Sequence, residues 1–108
     1  MSNLHRIKQL LEYLKEEPNN PFNLYVLALE YQNHDPEKVA YYFDELLTHH
    51  KDYLPTYYHA AGFFVNRQEI EKARAIYEAG IELATQKKDP HALKELKNAF
   101  LNFQFEND

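Results

Sequence analysis

Hydrophobic side chains recur every three or four residues along most of the chain, which is the spacing of an amphipathic helix. A helix over residues 3–17 carries the first such stripe, which consists of Leu4, Ile7, Leu10, Leu11 and Leu14. Alternating apolar and polar runs are absent, as are the Asn-Gly and Asp-Gly pairs that are typical of hairpin turns. The pattern therefore predicts an all-α chain.

Prolines and polar cap residues divide the remaining chain into further helices. An N-cap side chain precedes a proline in the first helical turn at three places, namely Asn20-Pro21, Asp35-Pro36 and Asp89-Pro90. Asp52 is a candidate cap for a helix that ends near Arg67, whereas no strong cap precedes the helix predicted at residues 70–87. Short connections between these segments predict about six helices whose neighbours run antiparallel.

The hydrophobic pattern also repeats along the chain with a period of 33 to 34 residues. The first copy reads Leu24-x2-Leu27-Ala28-x2-Tyr31, then Val39-x3-Phe43. The second copy reads Tyr57-x2-Ala60-Ala61-x2-Phe64, then Ala73-x3-Tyr77. A third and partial copy reads Leu93-x2-Leu96-Lys97-x2-Phe100. Small residues at Ala28, Ala61 and Gly80 are expected where the two helices of a hairpin cross closely.

These residues resemble the tetratricopeptide repeat, which carries W-x2-L-G-x2-Y on its first helix and A-x3-F on its second, with a period of about 34 residues. The resemblance covers roughly residues 3–103, although the chain has no tryptophan and carries Lys51 and Thr85 where proline is usual. It implies antiparallel helical hairpins stacked as a short right-handed α-solenoid, and a generic helical bundle is the alternative.

The resemblance also implies how the chain is organised. We expect a single domain over residues 1–108, with an N-terminal half-repeat helix at 3–17 and repeat one at 21–50. Repeat two is expected at 53–87 and a C-terminal capping helix at 89–104. Lys97 occupies a small-residue position of the third copy, as is expected of a capping helix with one face in water.

In the family, the first helix of each pair lines a concave face that holds a peptide or helix of a partner. The candidate partner-binding residues on these helices are Phe22, Tyr25, Leu29, Gln32, Asn33, Pro55, Tyr58, Gly62, Val65, Asn66, Lys94 and Asn98. Tyrosine rings suit interfaces, and amides can pair with a peptide backbone. The alternative is that some of these rings pack between neighbouring hairpins.

Some members of the family hold a partner's C-terminal carboxylate with Lys, Asn and Arg side chains on this face. The corresponding positions of this sequence are mainly Tyr25, Leu29, His59 and Gly62. These positions do not carry the Lys, Asn and Arg side chains of the clamp, so binding of that kind is not expected.

Composition narrows the function further. The formal net charge of −5 would repel a phosphate backbone or an anionic membrane, so neither a nucleic acid nor a membrane is an expected partner. The chain has no cysteine and no apolar signal core, and we expect a cytoplasmic protein. It also lacks phosphate-loop and hydrolase motifs, so we predict no enzyme, no catalytic residue and no cofactor.

No metal site is expected from the histidines either. No two of them have the helical spacing of a metal site, and His49 and His50 are expected to point apart as surface residues.

The function that follows is a protein–protein interaction module for an unknown protein or peptide. A first alternative is structural self-association, as a homodimer through terminal helices, because Phe100, Leu101, Phe103 and Phe105 crowd the end of the sequence. A second alternative is an accessory chain that regulates an enzyme encoded elsewhere.

Overall fold

A computed structural model of the chain describes residues 2–108. Its helices are α1 (Ser2–Glu16), α2 (Pro21–Tyr31), α3 (Pro36–His49), α4 (Pro55–Asn66), α5 (Ile70–Gln86) and α6 (Pro90–Asn107). No strand occurs in this range, so the prediction of an all-α chain is confirmed.

Three of the predicted helix caps are confirmed. The side chains of Asn20, Asp35 and Asp89 accept hydrogen bonds from backbone N–H groups of the first turns of α2, α3 and α6 at 3.0, 3.3 and 3.0 Å, respectively. Each bond satisfies a donor that the helix itself cannot pair.

The predicted cap at Asp52 is wrong. The residue before α4 is Leu54, which makes no side-chain cap bond. Asp52 instead lies in a turn that is closed by a 3.0 Å bond from the Tyr53 N–H to the His50 carbonyl. Pro55 opens α4 without an N–H, so one of the donors that a cap would satisfy is already missing.

The described chain divides into two compact units, and the division falls between Tyr53 and Leu54. This point lies next to the predicted start of repeat two at residue 53. The first unit holds α1 to α3 and the second holds α4 to α6. A single domain over residues 1–108 stays a prediction.

In the first unit, α1 and α3 both pack against α2. Its buried apolar side chains are Ile7, Leu10, Leu24, Leu27, Ala28, Val39, Tyr42, Phe43 and Leu46. The predicted stripe of α1 is too wide, because Leu4 and Leu11 are 70% and 40% exposed. The physical reason is that α1 packs mainly on one neighbouring helix, which covers only a narrow face.

Polar contacts also stabilise the packing of α1 on α2. The Glu30 carboxylate of α2 accepts a hydrogen bond from the Asn3 amide and pairs with the Arg6 guanidinium at 3.0 Å. Glu30 is mostly shielded from solvent, with 15% of its side chain exposed, so this pair is less screened than an ordinary surface ion pair.

In the second unit, α5 packs against both α4 and α6, which also contact each other. Its buried apolar side chains are Tyr57, Ala60, Ala61, Phe64, Ala73, Ile76, Tyr77, Ala84, Leu96 and Phe103. A Cβ atom added at Gly80 would lie 2.7 Å from the Tyr57 Cβ and 3.4 Å from the Leu96 Cδ1. The close helix crossing predicted at Gly80 is therefore present.

Within the second unit, Arg74 of α5 contacts α6 and the residue that follows it. Its guanidinium lies 5.2 Å from the centroid of the Phe103 ring and donates hydrogen bonds of 2.8 and 3.2 Å to the Asp108 carboxylate. The hydrogen bonds from Arg74 lower the pKa of the Asp108 carboxyl below its ordinary value. The planar guanidinium thus contacts an aromatic ring and donates hydrogen bonds to a carboxylate.

Candidate functional site

The candidate residues of α2 lie on the side of the helix away from its core residues. Leu24, Leu27 and Ala28 are buried, whereas Phe22 is 54% exposed. Further along the same side, Tyr25 and Leu29 are half-buried, and Gln32 and Asn33 are exposed at its end. This side of α2 therefore presents aromatic and aliphatic surface next to two amides.

Tyr25 is positioned by a ring contact inside the first unit. Its ring meets that of Tyr53 edge-on, with centroids 5.7 Å apart and planes at 65°. Burial raises the pKa of the Tyr53 hydroxyl above its ordinary value, so that group stays neutral at physiological pH. The edge-on contact restricts Tyr25 while part of its ring remains accessible.

The candidate residues of α4 form a similar side in the second unit. Pro55 and Asn66 are exposed at its two ends, and Tyr58 is 40% exposed between them. The Tyr58 ring stands perpendicular to the neighbouring His59 ring at 5.3 Å. A Cβ atom added at Gly62 would meet nothing within 4 Å, and Val65 is half-buried. The surface around Gly62 is therefore open.

On α6, the candidate residues Lys94 and Asn98 are both exposed. The same side of α6 continues through Leu101 and Phe105, which the sequence already indicated for self-association and which are 52% and 81% exposed. Steps of four, three and four residues from Lys94 through Asn98 to Phe105 place these side chains on one helix face. This spacing is the signal in the sequence that joins them to the candidate residues Lys94 and Asn98.

None of the twelve candidate side chains is fully buried. The structure places them on the accessible sides of α2, α4 and α6, and their role in binding a partner stays a prediction.

Sequence reasoning missed an open cavity of about 630 Å³ in the first unit. Its lining from α1, the following turn and α2 consists of Leu14, Pro18, Asn19 and Leu24. Its lining from α3 and the residue after it consists of Tyr41, Tyr42, Glu45, His49 and His50. The regular spacing of Tyr41, Glu45 and His49, four residues apart, is the signal that could have indicated a shared face.

His49 and His50 both border this cavity, and the expectation that their side chains point apart stays a prediction. His49 is the last residue of α3, and His50 leaves helical geometry with φ −138° and ψ 54°.

The tyrosines beside the cavity are in ring contact with one another. The buried Tyr42 ring stacks on that of Tyr31, with centroids 6.1 Å apart, and meets the Tyr41 ring edge-on at 5.2 Å. Burial, followed by the nearby Tyr31 and Tyr41 hydroxyls, raises the pKa of Tyr42 above its ordinary value. Tyr42 is therefore neutral at physiological pH and can act as a hydrogen-bond donor.

Two further features bear on the kind of site that the chain can hold. Within residues 2–108, His, Asp and Glu side chains do not form a group of three or more that could bind a metal ion. Over the same range, each helix is too short or too polar to cross a membrane.

The chain was also compared with known proteins. No protein-family model matches the sequence, and a search of curated proteins finds no match. Solved structures of a tetratricopeptide repeat domain protein from Salinibacter ruber are similar to it. The solution NMR structure is 33% identical over 81% of this chain and 89% of that one, with a TM-score of 0.74. A crystal structure is 31% identical over 79% of this chain and 97% of that one, also with a TM-score of 0.74.

The observed helices, the repeated residues and these structures agree, so the resemblance and the fold class predicted from the sequence are confirmed. The chain belongs to the tetratricopeptide repeat family and has its all-α helical-repeat fold.

Proposed function

We propose that the chain is a protein–protein interaction module that binds a peptide or helix of a partner through the accessible sides of α2, α4 and α6. Membership of the family supports the general interaction role. The observation that carries the specific surface is the exposure of Phe22 and Tyr58, at 54% and 40%, on the sides of α2 and α4 that face away from the buried residues. We also propose that the chain is cytoplasmic and that it is not an enzyme.

Large rings beside amides suit recognition of another chain. A ring removes a large apolar area from water at a small entropic cost, and the amides of Gln32, Asn33 and Asn66 can pair with a backbone that the partner presents. Aromatic residues of this kind dominate binding energies, and removal of one anchor typically costs about 2 kcal/mol or more.

The test begins with affinity capture and mass spectrometry to find a partner, followed by affinity measurements with purified variants. Tyr25→Ala and Tyr58→Ala are each expected to weaken binding by at least about tenfold. The matched control is Tyr13→Ala, which removes a ring that is 45% exposed on α1 but lies outside the proposed surface. Because Tyr25→Ala also removes the ring contact with Tyr53, thermal unfolding measures how much this variant loses in stability.

Equal binding by the wild-type chain, Tyr25→Ala and Tyr58→Ala would show that these helix sides are not the binding surface. Equal weakening by Tyr13→Ala would show that the effect is not specific to them.

A second candidate function is self-association through α6. The specific observation in its favour is that Leu101 and Phe105, one helical turn apart, are 52% and 81% exposed. Neighbouring apolar side chains with this exposure favour contact with another surface.

A further inference from the structure

The cavity of the first unit lies where two helices end. Leu14 lines it from the last turn of α1, with Pro18 and Asn19 from the turn that follows, and His49 lines it from the end of α3, with His50 directly after it. Because α1 and α3 both pack on α2, space remains between their ends. The volume of about 630 Å³ lies within the range of small-ligand sites and has room for one long side chain with its adjoining backbone.

The charges around this cavity favour a cation. The C-terminus of each helix carries the equivalent of roughly half a negative charge, and the ends of both α1 and α3 border the cavity. Glu45 adds a carboxylate to the lining, and this side chain makes no ion pair or hydrogen bond among the described residues. Lys15 and Lys51 are the sequence neighbours of Leu14 and His50, but the lining itself contains neither lysine nor arginine.

Tyr41 supplies an aromatic surface next to this charge. It is 58% exposed, and its ring is held edge-on against the buried Tyr42, with planes at 73°. Tyr41 and Glu45 are one helical turn apart on α3, so a cation can contact the ring and the carboxylate together. Leu14 and Leu24 offer apolar surface for the carbon chain that carries the cation.

We propose that this cavity binds a cationic side chain of a partner, and that arginine is the side chain its lining fits best. The planar guanidinium lies on the Tyr41 ring and donates hydrogen bonds to the Glu45 carboxylate. An ammonium group lacks the flat surface for the ring and the paired donors for the carboxylate. The site lies on α1, α3 and the start of α2, and it works independently of the candidate surface that contains Tyr25 and Tyr58.

The probe that tests this proposal is N-acetyl-L-arginine amide, which carries one cation and no charged backbone group. Titration of the ¹⁵N-labelled chain is expected to shift the backbone amide signals of residues 14–17, 19 and 41–50 with saturation, and with a dissociation constant on the order of 1 to 10 mM. N-acetyl-L-citrulline amide has nearly the same shape without the charge and is expected to bind at least about tenfold more weakly.

Two variants locate the site. Glu45→Gln and Tyr41→Ala are each expected to weaken arginine amide binding by about tenfold. The matched control is Glu78→Gln, which removes an exposed carboxylate from α5 in the second unit and is expected to bind like the wild-type chain. Circular dichroism melting establishes that each variant is folded.

Three results would overturn the proposal: no saturating shift up to about 50 mM arginine amide, equal binding of the citrulline amide, or undiminished binding by folded Glu45→Gln. Loss of partner binding in Tyr25→Ala and Tyr58→Ala has no bearing on these measurements, so the two proposals fail separately.

Discussion

Gly62 and Gly80 are the two glycines of the chain, and both lie inside helices of the second unit. At Gly80, a methyl group would collide with the Tyr57 Cβ at 2.7 Å, and this atom cannot move unless the α4 backbone moves with it. At Gly62, the same methyl group would enter open space. Glycine is therefore required by packing at one position, whereas it only lowers helix stability at the other.

Alanine substitutions separate these two roles at the residue scale. Gly80→Ala is expected to lower the free energy of unfolding by about 1 to 3 kcal/mol, because the added methyl group overpacks the α4–α5 crossing. Gly62→Ala is expected to raise it by up to about 1 kcal/mol, because alanine is the better helix former. Urea denaturation of both variants measures the difference. Stabilisation by Gly80→Ala would mean that the helices do not cross this closely.

At the scale of helices, α4 and α5 end in the same way. After α4, the Glu69 N–H donates to the Phe64 carbonyl at 3.0 Å and the Gln68 N–H to the Val65 carbonyl at 2.9 Å. After α5, the N–H groups of Asp89 and Lys88 make the equivalent two bonds at 3.1 Å. Both ends are Schellman motifs, in which one residue must adopt a left-handed backbone.

That left-handed position is occupied by Gln68 with φ 64° and by Lys88 with φ 56°, and neither is the glycine that this conformation favours. Gln68→Gly and Lys88→Gly are each expected to raise the free energy of unfolding by roughly 0.5 to 1 kcal/mol, because the steric cost exceeds the added chain entropy. Thermal and urea unfolding measure the effect.

The control for these substitutions is Gln32→Gly, because Gln32 caps α2 with a right-handed φ of −52°. Here glycine is expected to lower the free energy of unfolding by about 0.5 to 1 kcal/mol. If all three glycine variants changed stability in the same direction, the backbone conformation would not be the cause.

At the scale of the whole molecule, two properties act in opposite directions on self-association. The net charge of −5 makes copies of the chain repel each other, whereas Leu101 and Phe105 expose apolar surface on α6. Salt screens the repulsion and leaves the apolar contact intact. Higher ionic strength should therefore favour any dimer that forms through α6.

Light scattering coupled to size-exclusion chromatography at micromolar concentrations tests this second candidate function. If α6 mediates a dimer, we expect the average mass to rise with protein and salt concentration and Phe105→Glu to return it to that of a monomer. Tyr58→Glu adds the same charge on α4 at a side chain that is also exposed, and it should leave the mass unchanged. A strict monomer under all conditions would exclude self-association through α6.

Features that depend on neighbouring residues along the chain could be predicted from the order of amino acids alone. Asn20, Asp35 and Asp89 cap the helices as predicted, because a cap bonds to an N–H only two or three residues away. Hydrophobic periodicity likewise predicted the helices, and the repeated residues predicted the family. The need for a small residue at Gly80 followed from the same repeat.

Which faces of these helices become buried depends on how the helices pack together in three dimensions. Leu4 and Leu11 fit the periodic stripe of α1 but stay exposed, because coverage depends on which helix packs against α1. The cavity beside Tyr41 and Glu45 depends on where the ends of α1 and α3 lie around α2. Such contacts join residues that are distant in sequence, and periodicity along one helix carries no information about the surface that another helix presents.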